Sequence, residues 1–143
     1  MNKMHANEFE IDDILVRDLI KKQAPQWSDL SLRRVQSSGT DNALFRLGND
    51  YIVRLPRVEQ VPGCVHKSID KEYKWISQIA QHLSTPISEP VFKGSPNNVY
   101  PWPWMVMKWH EGNNPDFEKN NEYHAFAKAL ADFLNQLHCV KLA

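Results

Sequence analysis

Apolar residues early in the chain follow a helical rhythm and then an alternating one. In IDDILVRDLIKKQAP, Ile11, Ile14, Leu15 and Leu19 recur at helical spacing. Acidic Glu8, Glu10, Asp12 and Asp13 near its start and Lys21 and Lys22 near its end suit the helix dipole, and Pro25 stops it. The pattern predicts a helix over about residues 10–23. Three alternating runs follow, LRRVQSS, ALFRLGN and YIVRLPR. Gly48-Asn49-Asp50 supplies a tight turn between the second and third, so the runs predict an antiparallel meander with SSGTDN at its first turn. KSIDKEYKWISQIAQHL, residues 67–83, returns to helical spacing, with Ile69, Tyr73, Ile76, Ala80 and Leu83 as its apolar stripe. Prolines break the next stretch into a short strand, VFKG, and a longer one, WMVMKWH, which ends at Gly112. NNPDFEKNN reads as a polar linker. A last helix, EYHAFAKALADFLNQLH, places Tyr123, Phe126, Ala127, Leu130, Phe133, Leu134 and Leu137 on one face. Five antiparallel strands with a packed helix, flanked by an N-terminal and a C-terminal helix, make an α+β fold.

Length and charge narrow the function classes. With 143 residues and a formal net charge of zero, the chain suits one compact domain and carries no basic footprint for nucleic acid or a membrane surface. No apolar run reaches the length of a membrane span, and the charged opening MNKMHANEFEIDD is not a secretory signal. Cys64 and Cys139 lie far apart with no CxxC spacing, which leads to the expectation of a reduced, cytoplasmic setting. The six histidines form no HxxxH pair, so no metal site is expected from them.

Two features bear on chemistry. In YIVRL the alternation sets Ile52 and Arg54 on the face opposite Tyr51, Val53 and Leu55. Glu72 lies three residues after Ile69 and four before Ile76, on the buried side of its helix, where a carboxylate needs a cation. Arg54 and Glu72 therefore form a candidate pair, read either as a structural salt bridge or as part of a site. SSGTDN likewise admits two readings. It is a simple hairpin turn, or a loop whose small residues let backbone N–H groups close over a phosphate.

The run SSGTDNALFRLGNDYIVRLPR, followed by KEYKWISQIAQHL and YPWPWMVMKWHEG, resembles the aminoglycoside phosphotransferase family of the protein-kinase-like superfamily. The similarity runs from about Ile11 to His138. It implies a kinase-like amino-terminal lobe over residues 1–112, with a linker and the first helix of a carboxy-terminal lobe over 113–143. It also implies ATP and Mg²⁺ as cofactors and a small hydroxylated acceptor. Carried over by position, Ser37, Ser38, Gly39 and Thr40 belong to the nucleotide loop. Arg54 would hold the α and β phosphates, and Glu72 would orient it. Met107 would line the adenine pocket, while the carbonyl of Lys108 and the N–H of His110 would meet the adenine edge. Arginine at position 54 departs from the lysine usual in the superfamily. It keeps the charge and adds a fork for phosphate oxygens, but it is bulkier and not equivalent.

The resemblance also requires groups that these residues do not include. The family's acceptor-orienting carboxylate and metal ligands lie in a His-Gly-Asp loop and a later Asp, and the sequence holds no HGD or HRD. Asp132 and Asn135 form a D-x-x-N, but within a helical pattern that reads as solvated surface. The expectation is therefore half an enzyme, truncated before the catalytic lobe and inactive alone. Its last apolar helix face would favour a homodimer. Two classes stay open: the nucleotide-binding lobe of an ATP-dependent phosphotransferase, and a non-catalytic interaction module or inert fragment derived from that lobe.

Overall fold

A computed structural model describes residues 8–36, 41–113 and 123–141. Its centre is a five-stranded antiparallel sheet: β1 (Leu32–Val35), β2 (Asn42–Leu47), β3 (Tyr51–Pro56), β4 (Pro90–Gly94) and β5 (Trp104–Lys108). The spatial order is β1-β2-β3-β5-β4, so the last strand in sequence pairs with the meander and β4 takes the edge. The β2–β3 hairpin closes through Gly48, whose φ of 58° is a conformation that glycine adopts without a Cβ penalty. Among the described residues, three α-helices accompany the sheet: α1 (Asp13–Gln23), α2 (Cys64–Ala80) and α3 (Tyr123–Cys139), with one 3-10 turn at Pro25–Trp27. The predicted α+β lobe, with its five antiparallel strands, is the observed one.

Period-two alternation divides the sheet residues between two faces. One face sends Phe45, Leu47, Val53, Leu55, Trp104 and Val106 into the main core, where Val16, Leu19 and Ile20 of α1 meet them. The helix face differs from the sequence expectation. Asp12 caps α1 by accepting from the Leu15 N–H at 2.8 Å, which leaves Ile11 ahead of the helix. Ile11 is nevertheless buried, whereas Ile14 is 78% exposed. The stripe is therefore Val16, Leu19 and Ile20, and Ile14 lies roughly 160° from Val16 on the opposite side of the helix. Ahead of α1, buried Glu8 pairs with Arg57 at 2.7 Å and the Phe9 N–H donates to the Arg57 carbonyl, tying this segment to the end of β3.

The other face of the sheet carries a smaller core. Val65 and Ile69 of α2 pack on Met105 and Met107, with Ile52 and Ile76 alongside. The helix starts three residues earlier than its apolar spacing suggests. Gly63 is its N-cap, and the Glu59 carboxylate accepts from the Gly63 and Val65 N–H groups at 3.0 and 3.4 Å. That carboxylate satisfies amide donors that the first helical turn cannot pair internally. Tyr73 of the expected stripe is 40% exposed. On α3 no residue is buried, and Tyr123, Phe126, Leu130 and Leu134 are each at least 40% exposed. It meets the rest of the chain at Ser84, whose N–H donates to Gln136 Oε1 at 2.7 Å. Among the described residues, no helix is long and apolar enough to cross a membrane.

Candidate nucleotide site

Strand register assembles the candidate site on the α2 side of the sheet. Arg54 faces Leu44 across to β2 and Met105 across to β5, while Ile52 faces Arg46 and Met107. Arg54, Ile52, Met105 and Met107 therefore share one face. Met107 lies two residues along β5 from the partner of Arg54, about 7 Å at the rise of a strand. This face also carries Lys93, since Lys93 faces Met105 from β4. A sheet face holding these cations calls for carboxylates on the helix that covers it. Helix α2 supplies Asp70 to Lys93 at 2.8 Å and Glu72 to Arg54.

The Arg54–Glu72 contact is close. Nη2 of Arg54 lies 2.7 Å from Oε2 and donates to Oε1 at 2.9 Å, with side-chain exposures of 24% and 26%. Ser68, one helical turn before Glu72, donates its hydroxyl to Oε1 at 3.0 Å. The carboxylate is thus held by its own helix as well as by β3. Nε of Arg54 is buried and has no partner among the described residues. The guanidinium as a whole lines the cleft and stays partly exposed, and a charged donor so placed suits an anionic oxygen. The cleft beside it has a volume of about 390 Å³ and is lined by Asp41, Asn42, Cys64 and Ser68 as well as by Arg54 and Glu72. Asp41 and Asn42 close the SSGTDN loop, so the end of that loop borders the cleft. Ser37, Ser38, Gly39 and Thr40 lie outside the described residues.

At the other end of the face, Met107 is buried and Lys108 ends β5. The Lys108 carbonyl accepts from Ser88 Oγ at 2.6 Å, and its N–H donates to the Glu89 carbonyl at 2.8 Å. A carbonyl oxygen has two lone pairs, so the serine leaves it a second acceptor position. The His110 ring donates from Nε2 to the Ile87 carbonyl at 2.9 Å, since a carbonyl can only accept. Among the described residues nothing accepts from the His110 backbone N–H. The sequence reading missed Ser68 and Ser88. Ser68 was findable, because a hydroxyl four residues before a carboxylate lies on the same helix face. Ser88 was not, because its contact depends on how β4 and β5 pair. Among the described residues, no group of three or more His, Cys, Asp or Glu side chains could hold a metal ion.

Comparison with known proteins places this arrangement in a class. The sequence profile of the Phosphotransferase enzyme family matches residues 32–143, and the chain belongs to that family. No curated protein matches it significantly. Among solved structures, it is similar to the GDP and kanamycin complex of APH(2")-IIia, with a TM-score of 0.70 and 20% identity over 90% of this chain. It is also similar to the GDP complex of wild-type aminoglycoside 2'-phosphotransferase-IIIa, with a TM-score of 0.71 and 18% identity over 92% of this chain. The streptomycin-ATP-APH(2")-IIa ternary complex resembles it at a TM-score of 0.62 and 23% identity over 94%. The chain spans only 42–43% of the length of these proteins. At these identities the likeness is one of fold, that of a kinase-like amino-terminal lobe.

Proposed function

We propose that the chain is the nucleotide-binding lobe of an ATP-dependent small-molecule phosphotransferase of the aminoglycoside type. The observation that carries this reading is the Arg54–Glu72 pair at the wall of a cleft bordered by the end of the SSGTDN loop. In this reading Ser37, Ser38, Gly39 and Thr40 approach the phosphates through backbone N–H groups, and Arg54 binds α and β phosphate oxygens while Glu72 and Ser68 hold it in place. Met107 lines the base pocket, and the Lys108 carbonyl and His110 N–H meet the adenine edge. Bound ATP with Mg²⁺ supplies the transferable phosphoryl group, and this chain's residues bind and orient it. The similar proteins in complex with GDP and kanamycin, or with ATP and streptomycin, support a purine nucleotide and a small hydroxylated acceptor.

The lobe extends to about residue 112, and residues 113–143 form the linker and first helix of a carboxy-terminal lobe that grips the acceptor and contributes the catalytic carboxylate and metal ligands. The 143 residues alone then turn over no substrate in a cytoplasmic setting. Calorimetric titration with ATP, with and without Mg²⁺, tests the reading. Saturable binding supports it, and no binding at millimolar ATP overturns it. One observation favours a further reading as an interaction module: the exposed apolar residues Leu130 and Leu134 of α3. They suit a homodimer through α3, and a monomer in sedimentation at high concentration would count against that pairing.

A further inference from the structure

We infer that Arg46 is a positioning residue for the base-binding end of the site, an inference that rests on the nucleotide reading. Arg46 lies on the same sheet face as Ile52 and Met107, and its side chain is only 12% exposed. Its Nη2 donates to the Asn49 carbonyl of the β2–β3 hairpin at 2.5 Å and to Glu111 Oε1 at 2.7 Å. Its guanidinium carbon lies 4.1 Å from the centroid of the Trp109 ring. The Trp109 N–H donates to the Asp50 carbonyl at 2.8 Å, so the segment leaving β5 is tied twice to the same hairpin.

These contacts bracket one residue. Trp109 and Glu111 both meet Arg46, and His110 lies between them in sequence with its ring anchored on the opposite side to Ile87. The backbone of His110 is therefore held between the hairpin and the Ile87–Glu89 segment. That same segment gives Ser88 to the Lys108 carbonyl. A purine edge reads a donor and an acceptor at fixed separation, so a clamp on both sides of these groups sets the geometry before ligand arrives. Arginine suits this position because a planar guanidinium stacks through its face while donating from its edge, which an ammonium cannot do. Arg33 faces Arg46 from β1, and the Glu111 carboxylate offsets that like-charge pairing.

The test uses the full chain with Arg46→Met and Glu111→Gln, titrated with Mg-ATP and with Mg-tripolyphosphate, which lacks the base. Amide hydrogen exchange is followed from Lys108 to Gly112 without ligand. Arg46→Met should bind ATP about 10-fold more weakly, bind tripolyphosphate as the wild type does, and exchange the Trp109 amide, which donates to the Asp50 carbonyl, faster. Glu111→Gln, a change on a largely exposed side chain that should not impair folding, should shift ATP affinity and exchange in the same direction by less. Arg46→Lys should recover part of the ATP affinity. If wild type binds both ligands and Arg46→Met matches it on ATP, or loses both ligands equally, the positioning role is overturned while the nucleotide reading stands. Unchanged exchange at residues 108–112 in both variants overturns the clamp without reference to any ligand. If wild type binds neither ligand, the nucleotide reading falls and this inference falls with it.

Discussion

Replacing Arg54 with methionine keeps an unbranched chain and removes the charge that organises the cleft. The wild-type pair is about three-quarters buried, with one nitrogen 2.7 and 2.9 Å from the two oxygens of Glu72. An exposed ion pair contributes about 0–1 kcal/mol, whereas stripping one partner from a buried pair costs about 3–5 kcal/mol. At this intermediate exposure Arg54→Met should lose about 2 kcal/mol of stability, read as a fall in the urea midpoint of roughly 1 M. Hydrogen bonds between a charged donor and phosphate contribute about 1.5–3 kcal/mol, so ATP affinity should fall by about 10- to 150-fold. Calorimetric titration with Mg-ATP measures this directly. Glu72→Gln serves as the companion variant. It keeps an acceptor for Arg54 and for Ser68 but drops the charge, so its loss should be a few-fold only. A reduced urea midpoint with unchanged ATP affinity in Arg54→Met would refute the phosphate role and leave a purely structural salt bridge. No change in either quantity would refute the energetic argument as well.

Other predictions concern the scaffold and its pH response. A Cβ on Gly94 would lie 2.0 Å from Cε2 of Trp104, a ring that is fully buried and has no room to move. Gly94→Ala should therefore destabilise the chain by about 3 kcal/mol in urea unfolding, and an unchanged midpoint would show that the sheet edge yields. Tyr100 donates its hydroxyl to the buried Pro56 carbonyl at 2.6 Å, and burial pushes its phenol pKa up so that the donor keeps its proton. Tyr100→Phe leaves that carbonyl unpaired and should cost about 1–3 kcal/mol by the same assay. The Glu111 carboxyl is held below its ordinary value of 4.5 first by the Arg46 hydrogen bond and then by the nearby Trp109 indole N–H, which falls short of hydrogen-bond geometry, with the charges of Arg46 and Arg33 adding to it. A depressed folded-state pKa means that the unfolded chain takes up the proton first. The contribution of Glu111 is thus present above the ordinary carboxylate range and lost as pH falls through its lower folded-state value. Comparing Trp109 amide exchange in wild type and Glu111→Gln from about pH 6 down to about pH 3 should show the difference shrinking at the acid end.

The order of helices and strands, the two faces of β3, and the approach of Glu72 to Arg54 were all legible in the sequence. Each depends on a local period, two for a strand and 3.6 for a helix, fixed by backbone sterics and visible within a few residues. The pair needed one further step, that a carboxylate on a buried helix side seeks a cation, and the preceding strand offered one. Local period could not orient α1, because Ile14 and Val16 are both apolar and only contact with Phe45, Val53 and the rest of the core decides which turns inward. Nor could it place β5 between β3 and β4, a choice settled by which strand edges meet. The contacts that shape the base end of the site, Arg46 with Glu111 and Ser88 with the Lys108 carbonyl, join residues 65 and 20 positions apart. Such contacts have no period. They exist only after the sheet has closed, because that closure brings the β2–β3 hairpin, the entry to β4 and the exit from β5 to the same edge.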